Sequence, residues 1–351
     1  MGADTPLSAA EIRAAIADNP KLRPRDLATN LGLPEAALVA AQVGFGVVPL
    51  VADTTKLIPA ICTLGEVMAL TRNDSAVHEK IGVYDNFHSG DHASSVLTAD
   101  IDLRLFSRHW VHSFAMEKEV DGSVRRSIQV FDAAGDAVHK VILRERSNVA
   151  MWDVMLRDLE GPDAVPIFEE RAPVEVPKGD PDKADILRAE WTKMTDTHQF
   201  MRLTSKLKMN RLGAYRMAGA PHVVALDPSA MTTALQAMAE TAVPIMMFVG
   251  NRGCIQIHTG PIHSLKPMGP WQNVMDPGFN LHLRADHVAE VWLVNKPTKR
   301  GPAISIEAFD ARGALILQCF AYRKEGQEDN VAKFRALTEA LPRLAQSEEV
   351  A

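Results

Sequence analysis

Cysteine is scarce in this chain: Cys62, Cys254 and Cys319 are the three thiols in 351 residues. None is spaced as C-x-x-C or C-x-x-C-H, so structural zinc, iron–sulfur and covalent c-type haem sites lack sequence support, and three are too few for a disulfide scaffold. Long apolar runs are lacking as well. The charge-free stretch 36–52 nears the short end of a membrane span. Gln42, Gly44, Gly46 and Pro49 interrupt it and Glu35 and Asp53 close it, so a buried helix and a following strand are expected. The amino terminus offers no basic segment leading into an apolar core, which predicts a cytoplasmic location. Basic excess is missing too. With a net charge of -6 and a pI near 6.1, broad attraction to nucleic acid or anionic membrane is not expected, and function must come from local charge. No nucleophile elbow, phosphate loop or dinucleotide fingerprint is present, and Gly250-Asn251-Arg252-Gly253 is an irregular glycine turn. None of His78, His88, His92, His109, His112, His258 and His263 makes a helical H-x-x-x-H or the closed spacing of a zinc site.

What the chain does have is apolar content and a repeat. With 46% hydrophobic residues in 38.4 kDa it can fill two cores. Ile128-Gln129-Val130-Phe131-Asp132-Ala133-Ala134-Gly135 returns as Ile306-Glu307-Ala308-Phe309-Asp310-Ala311-Arg312-Gly313. The same offset of 178 residues lays Asp102-Leu103-Arg104-Leu105 over Asn280-Leu281-His282-Leu283. Two segments agreeing on one register imply two homologous halves. The division reads as an N-terminal repeat with a helical leader over 1–160, a linker rich in Pro, Glu and Asp over 161–181, and a C-terminal repeat over 182–351. A cleft between such halves is where a ligand is expected.

Ser8, with Glu11 three residues on, caps a helix over 9–19. Residues 24–41 read as two short helices broken at Gly32, with Pro34 opening the second. Their spacing resembles a helix-turn-helix with Arg23 and Arg25 suited to phosphate contacts, so a ligand-responsive DNA- or protein-binding regulator is one reading of the leader. Ile101, Leu103 and Leu105 then alternate with Asp102, Arg104 and Phe106, and Trp110, His112, Phe114 and Met116 share the next alternating face. Turns at Asp121-Gly122 and Gly135 make this an antiparallel meander, without room for the helical crossovers of a parallel sheet. A short β-element is expected over 165–168. The second half predicts a helix over 183–209, a turn around Gly213, a helix over 229–240, a second meander over 245–322 and a final helix over 329–341. The fold class is α+β: a tandem duplication, each half an antiparallel β-sheet packed with helices.

On the expected 183–209 helix, Trp191, Met194, His198 and Met201 lie three or four residues apart and line one face, with His198 the polar exception. An imidazole there can ligate the iron of a planar porphyrin while Trp and Met cover the macrocycle, provided its second ring nitrogen finds an acceptor. Asp196 is poorly placed for that from two positions away on a helix, so a backbone carbonyl or water is the expected acceptor. Taken alone, the segment reads better as a histidine that merely makes a hydrogen bond. Arg104 beside Phe106 can bring a positive charge and an aromatic surface into one cavity, supporting an iron-bound water, peroxide or carboxylate, although strand arginines more often sit at solvent. Arg211, Lys296, Lys299, Arg300 and Arg323 offer cations for acidic groups such as propionates, and most such residues serve solubility.

Four blocks occur in one order: Ala69-Leu70-Thr71-Arg72-Asn73 with Ala76-Val77-His78-Glu79-Lys80, then Asp102-Leu103-Arg104-Leu105-Phe106, then Thr195-Asp196-Thr197-His198-Gln199-Phe200, then Asp276-Pro277-Gly278-Phe279-Asn280-Leu281-His282-Leu283-Arg284. By these the chain resembles the HmuS/HemS/ChuS family of cytoplasmic hemin transport and hemin-degrading proteins over nearly its whole length. The resemblance implies one haem b (iron protoporphyrin IX) in a cleft associated with the C-terminal half. It makes His198 the proximal metal ligand, puts Arg104 on the distal side with Phe106 near the macrocycle, and sets Arg211, Lys296, Gln318 and Arg323 around the pocket and propionates. Relatives carry a tyrosine near Leu317 that this chain lacks. The function implied is a haem-binding protein that accepts imported haem for sequestration, transfer or iron release. The enzyme alternative cleaves the porphyrin oxidatively, with Arg104 and His198 as catalytic residues. Expected partners are haem, an inner-membrane haem importer and a haem acceptor or reductant. Neither stable membrane insertion nor nucleic-acid binding is expected, and a homodimer is left open.

Overall fold

The repeated octapeptide folds into the same hairpin corner twice. In the computed structural model, which describes residues 7–162, 164–323 and 329–344, Asp132 Oδ1 accepts the backbone N–H groups of Ala134 and Asp136, and Asp310 Oδ1 accepts those of Arg312 and Ala314. Each turn closes through a glycine at positive φ, Gly135 at 79° and Gly313 at 89°, a conformation that costs glycine little. The strand register shifts at Val130/Phe131 in one half and at Ala308/Phe309 in the other. The repeat is therefore a turn-and-bulge device kept in both halves.

The chain forms two units, one comprising the described residues up to 72 with 79–172 and 250–256, the other 73–78, 173–249 and those from 257 on. In the first, an antiparallel run of strands is ordered Val47–Leu50, His112–Val120, Ser123–Phe131, Ala137–Ser147, Gly65–Arg72. In the second the order is Val223–Leu226, Glu290–Lys296, Ala303–Phe309, Leu315–Ala321, Ile245–Gly250. Each unit adds a three-stranded antiparallel ribbon, Phe87–His88, Ser94–Leu97 and Asp102–Leu105 in the first and Leu265–Met268, Trp271–Asp276 and Phe279–Arg284 in the second. Antiparallel α+β architecture built twice is what the sequence predicts.

Both sheets are covered on both faces. In the first unit, Thr54–Cys62 and Val149–Leu159 bury Leu57, Ile58, Ile61, Trp152 and Met155 against Val67, Val141 and Ile128. On the other face Ala36 and Val39 of Glu35–Ala40 meet Val47, Phe114 and Phe131. The second unit packs Ala230–Thr241 and Asp329–Glu339 on one face through Met231, Leu235, Met238 and Phe334. Ala184–Thr192, Gln199–Leu207 and Arg211–Ala218 cover the other through Trp191, Phe200 and Tyr215.

The leader helices form as expected: Ala9–Asp18 starts at a complete Ser8–Glu11 capping box, and Pro24–Asn30 and Glu35–Ala40 follow. They correspond in the first unit to the three helices just described in the second. The short second helix of the 24–41 pair buries Glu35, Ala36, Leu38 and Val39. Stretch 36–52 is helix and strand, as its interruptions predict, and among the described residues no helix is long and apolar enough to cross a membrane.

Four expectations are corrected. Helix 183–209 is two helices, Ala184–Thr192 and Gln199–Leu207, because the Asp196 side chain takes the His198 backbone N–H at 2.8 Å in a local turn that competes with the helical ladder. Gly213 lies inside helix Arg211–Ala218, where it lets the helix approach the preceding segment: a Cβ there would stand 1.9 Å from the Lys178 carbonyl oxygen. Residues 165–168 form no strand; Val165 and Ile167 are exposed and Phe168 packs edge-on against His112. Trp110 does not share the Phe114 face. It precedes the strand after a tight turn at Ser107–His109, and its indole N–H reaches the Gly253 carbonyl.

Candidate functional site

His198 stands at the N-cap of helix Gln199–Leu207, with its side chain 90% exposed. Its Nδ1 lies 2.7 Å from Asp196 Oδ1, the same oxygen that accepts its backbone N–H. A carboxylate can only accept here, so Nδ1 is the donor, and in the neutral ring Nε2 is the nitrogen that carries the lone pair. Nε2 has no partner among the described residues and opens to solvent. This corrects the expected acceptor. Asp196 is well placed because the helix breaks before His198 and the turn folds its side chain back. Those two hydrogen bonds from His198, backbone first, also hold the Asp196 carboxyl below its usual range. Carboxylate, imidazole and open Nε2 make the arrangement that orients a histidine for a metal. With the helix broken, Trp191, Met194, His198 and Met201 do not share one face: Trp191 and Met194 are core residues, whereas His198 and Met201 are exposed.

One turn beyond His198, Met201 Sδ lies 3.7 Å from Nη2 of Arg211, which begins the next helix. Arg211 leads inward to a buried charge cluster. Its Nη1 donates to Glu307 Oε2 at 3.0 Å and to the Tyr215 hydroxyl at 3.2 Å. Tyr215 donates to the same carboxylate oxygen at 2.8 Å, while Lys296 Nζ and Ser305 Oγ donate to Oε1 at 2.9 and 2.8 Å. The Phe200 ring covers Lys296 Nζ at 5.0 Å and packs edge-on against Trp191. Burial alone would raise the Glu307 carboxyl, but Lys296 and Arg211 override it and hold it at about 2. Burial pushes Lys296 down to about 8 against the pull of Glu307. Lys296 is thus buried and committed to Glu307, and of the two cations Arg211 is the one that reaches the surface.

Gln318 is half-buried on strand Leu315–Ala321, registered between Glu307 on one side and Phe248 on the other. Leu317, its neighbour, points to the opposite face and is buried in the core with Met231 and Phe334. Arg323 spends Nη1 on Thr298 Oγ1 and the Gly301 carbonyl, while its buried Nη2 has no acceptor among the described residues. A buried guanidinium N–H without an acceptor is costly, and burial correspondingly lowers the Arg323 pKa.

The two remaining candidates belong to the first unit. Arg104, on the ribbon strand Asp102–Leu105, is half-buried and ion-paired with Asp102, and it also donates to the Leu103 carbonyl at 3.0 Å. Phe106 follows directly, its N–H held by the Gly253 carbonyl at 2.9 Å. Among the described residues no group of histidine, cysteine or carboxylate side chains could hold a metal ion on its own, so a single-histidine site relies on a ligand that brings the metal's other donors. Sequence reasoning missed Asp196, Tyr215, Ser305 and Glu307. A signal for Glu307 existed: it is a carboxylate in a strand whose one other polar residue is Ser305, and the first repeat has Gln129 in its place.

Fold and site define a class, a tandem-duplicated α+β protein with an exposed, carboxylate-oriented imidazole above a buried cation cluster in its second unit. The chain belongs to the haemin-degrading HemS.ChuX domain family, which it matches twice, over residues 32–159 and 208–341. It is 38% identical over 318 residues to the hemin transport protein HmuS of Yersinia pestis, covering 90% of this chain and 92% of that one. Its structure is similar to holo-PhuS, a heme-binding protein from Pseudomonas aeruginosa, with a TM-score of 0.90 and 41% identity over 96% of this chain and 100% of that one. It is also similar to ChuS, an Escherichia coli heme oxygenase, with a TM-score of 0.82 and 33% identity over 90% and 95% of the two chains.

Proposed function

We propose that this chain is a cytoplasmic haem-binding protein that accepts imported haem b and holds it for transfer or iron release. The observation that carries the reading is His198, an exposed imidazole whose Nδ1 is fixed by Asp196 and whose Nε2 is open. Iron protoporphyrin supplies four equatorial nitrogens of its own, so one protein imidazole suffices as an axial ligand. The porphyrin's carboxylates need cations: Arg211 offers its outer edge, and Arg323 has a buried N–H without an acceptor. Lys296 acts from below through Glu307, and Gln318 offers an uncharged amide beside them. For Arg104 on the distal side and Phe106 against the macrocycle, the support is the match of residues to the family. An inner-membrane importer and a haem acceptor belong to the same proposal.

A second reading is turnover, and the similarity to a heme oxygenase favours it. When bound, haem iron supplies the redox chemistry. The chain's own part is to hold the iron through His198 and to set Arg104 toward the distal ligand, with an external reductant as co-reactant. Retention of intact haem under reductant, followed by delivery to apo-myoglobin, supports transfer. Loss of the haem absorbance with release of iron and a tetrapyrrole supports turnover. Arg104→Ala should alter distal coordination or turnover and leave folding intact; unchanged spectra and turnover would remove Arg104 from the site.

A further inference from the structure

Glu307 is fully buried, and of the four groups that bond it only Arg211 reaches the surface. Its two oxygens accept four donors, Lys296 and Ser305 on Oε1 and Tyr215 and Arg211 on Oε2. Arg211 spends Nη1 on this carboxylate and on Tyr215, whereas among the described residues Nη2 has only Met201 Sδ at 3.7 Å, and 24% of the side chain is exposed. The inner edge of the guanidinium is tethered by oxygen acceptors, and the outer edge holds only a weak sulfur acceptor that a carboxylate can displace. A free arginine side chain loses substantial rotamer freedom when it engages a ligand; one already tethered loses less. Two cations and one carboxylate leave the cluster a net single positive charge. The Phe200 ring lies against both cations, but the Lys296 side chain is 3% exposed against 24% for Arg211, so that charge reaches solvent through Arg211.

We infer that Glu307 is a positioning residue for ligand recognition: it fixes Arg211 so that its outer edge engages one carboxylate of the bound porphyrin. The inference rests on the haem reading above and deepens it. Ser305 and Tyr215 hold the carboxylate in place, and Lys296 neutralises it so that Arg211 is not drawn inward completely. Glu307 itself never touches the ligand.

The test compares binding of hemin with binding of its dimethyl ester, which keeps the iron and macrocycle and lacks carboxylate charge. Four proteins are titrated: native, Glu307→Gln, Arg211→Ala and the double variant. The native protein should prefer the diacid about tenfold or more, the value of one charge-assisted contact. Glu307→Gln should lower that preference by about threefold or more, to the value of Arg211→Ala, with the Arg323 contribution left in place, while the His198–iron spectrum stays native, since His198 is held independently by Asp196. The cluster charge changes little, because Lys296, already pushed down to about 8, sheds its proton once its partner is neutral. In the Arg211→Ala background the Glu307 substitution should add nothing. If Glu307→Gln fails to fold, Glu307→Gln with Lys296→Met removes both buried charges and carries the same expectation. The inference is overturned if Glu307→Gln keeps the native preference while Arg211→Ala loses it, or if the two losses add. Native protein that binds diacid and diester equally would overturn it and leave haem binding standing. Binding of neither would remove the haem reading, and this inference with it.

Discussion

The His198 ring is oriented by the residue two positions before it. Without the Asp196 carboxylate neither tautomer nor ring orientation is fixed, so Asp196→Ala should weaken haem binding about 10- to 100-fold with the protein still folded, as read by hemin titration. An affinity equal to native would mean that His198 is not oriented through Asp196. The histidine was legible in the sequence as the polar member of a patterned segment. Its partner was not, because the pattern was laid on a continuous helix. There an i−2 side chain points away, and only the turn made by Asp196 itself brings it back. His139 shows a different residue-scale effect. It is buried between the Tyr84 hydroxyl at 2.6 Å and Thr71 Oγ1 at 2.8 Å, and burial holds its imidazole down to about 3 from an unfolded value of 6.5. The unfolded chain therefore binds this proton first. Stability from this group is full above about pH 6.5 and falls toward pH 3, by up to about 1.4 kcal/mol per pH unit. Urea midpoints measured from pH 7.5 to 5 should fall in the native protein and fall less in His139→Gln; equal slopes would mean that His139 takes up its proton in the fold as readily as in the unfolded chain.

Helix Arg211–Ala218 brings both Arg211 and Tyr215 to the cluster, and its seat depends on a glycine. Gly213 marks close contact with the Lys178–Gly179 backbone, and Asn210 caps the helix by accepting the Gly213 N–H at 2.9 Å. Gly213→Ala must push the helix off that segment. We expect a loss of about 1–3 kcal/mol in urea unfolding, together with weaker haem binding because Arg211 moves with the helix. Native stability would show that the segment yields at no cost. In the sequence this glycine read as a turn, since a lone glycine in a short amphipathic stretch carries no sign of what packs against it. Strands and hairpins were more legible: alternation and the Asp-x-x-Gly corners depend on local chemistry, and both meanders form where the pattern puts them. Segment 165–168 had the composition of a strand but no partner to pair with. The helix-turn-helix pattern at 24–41 was correct as local structure, and its apolar side is occupied by the sheet face of its own unit through Ala36 and Val39.

At the scale of the whole molecule, the two halves share strand order, bulge and turn but differ in charge. The offset of 178 residues aligns Ser305 and Glu307 with Ser127 and Gln129. In the first unit Gln129 donates to Ser127 Oγ at 3.2 Å and to Met116 Sδ at 3.6 Å. An amide there cannot anchor cations as Glu307 does, so the cluster forms in the second unit. Duplication supplied the scaffold twice, and a few polar replacements made the halves unequal. A single haem per chain is therefore expected. Composition and periodicity established the duplicated fold, whereas haem entered only through the matching blocks around His198 and Arg104. The most direct measurement titrates the purified protein with hemin and follows its absorbance spectrum, with His198→Ala alongside. The expected result is a saturable one-to-one spectral change in the native protein that is lost or altered in the variant. A change that persists unaltered in folded His198→Ala would contradict the proximal assignment, and no saturable change in the native protein would contradict haem binding itself.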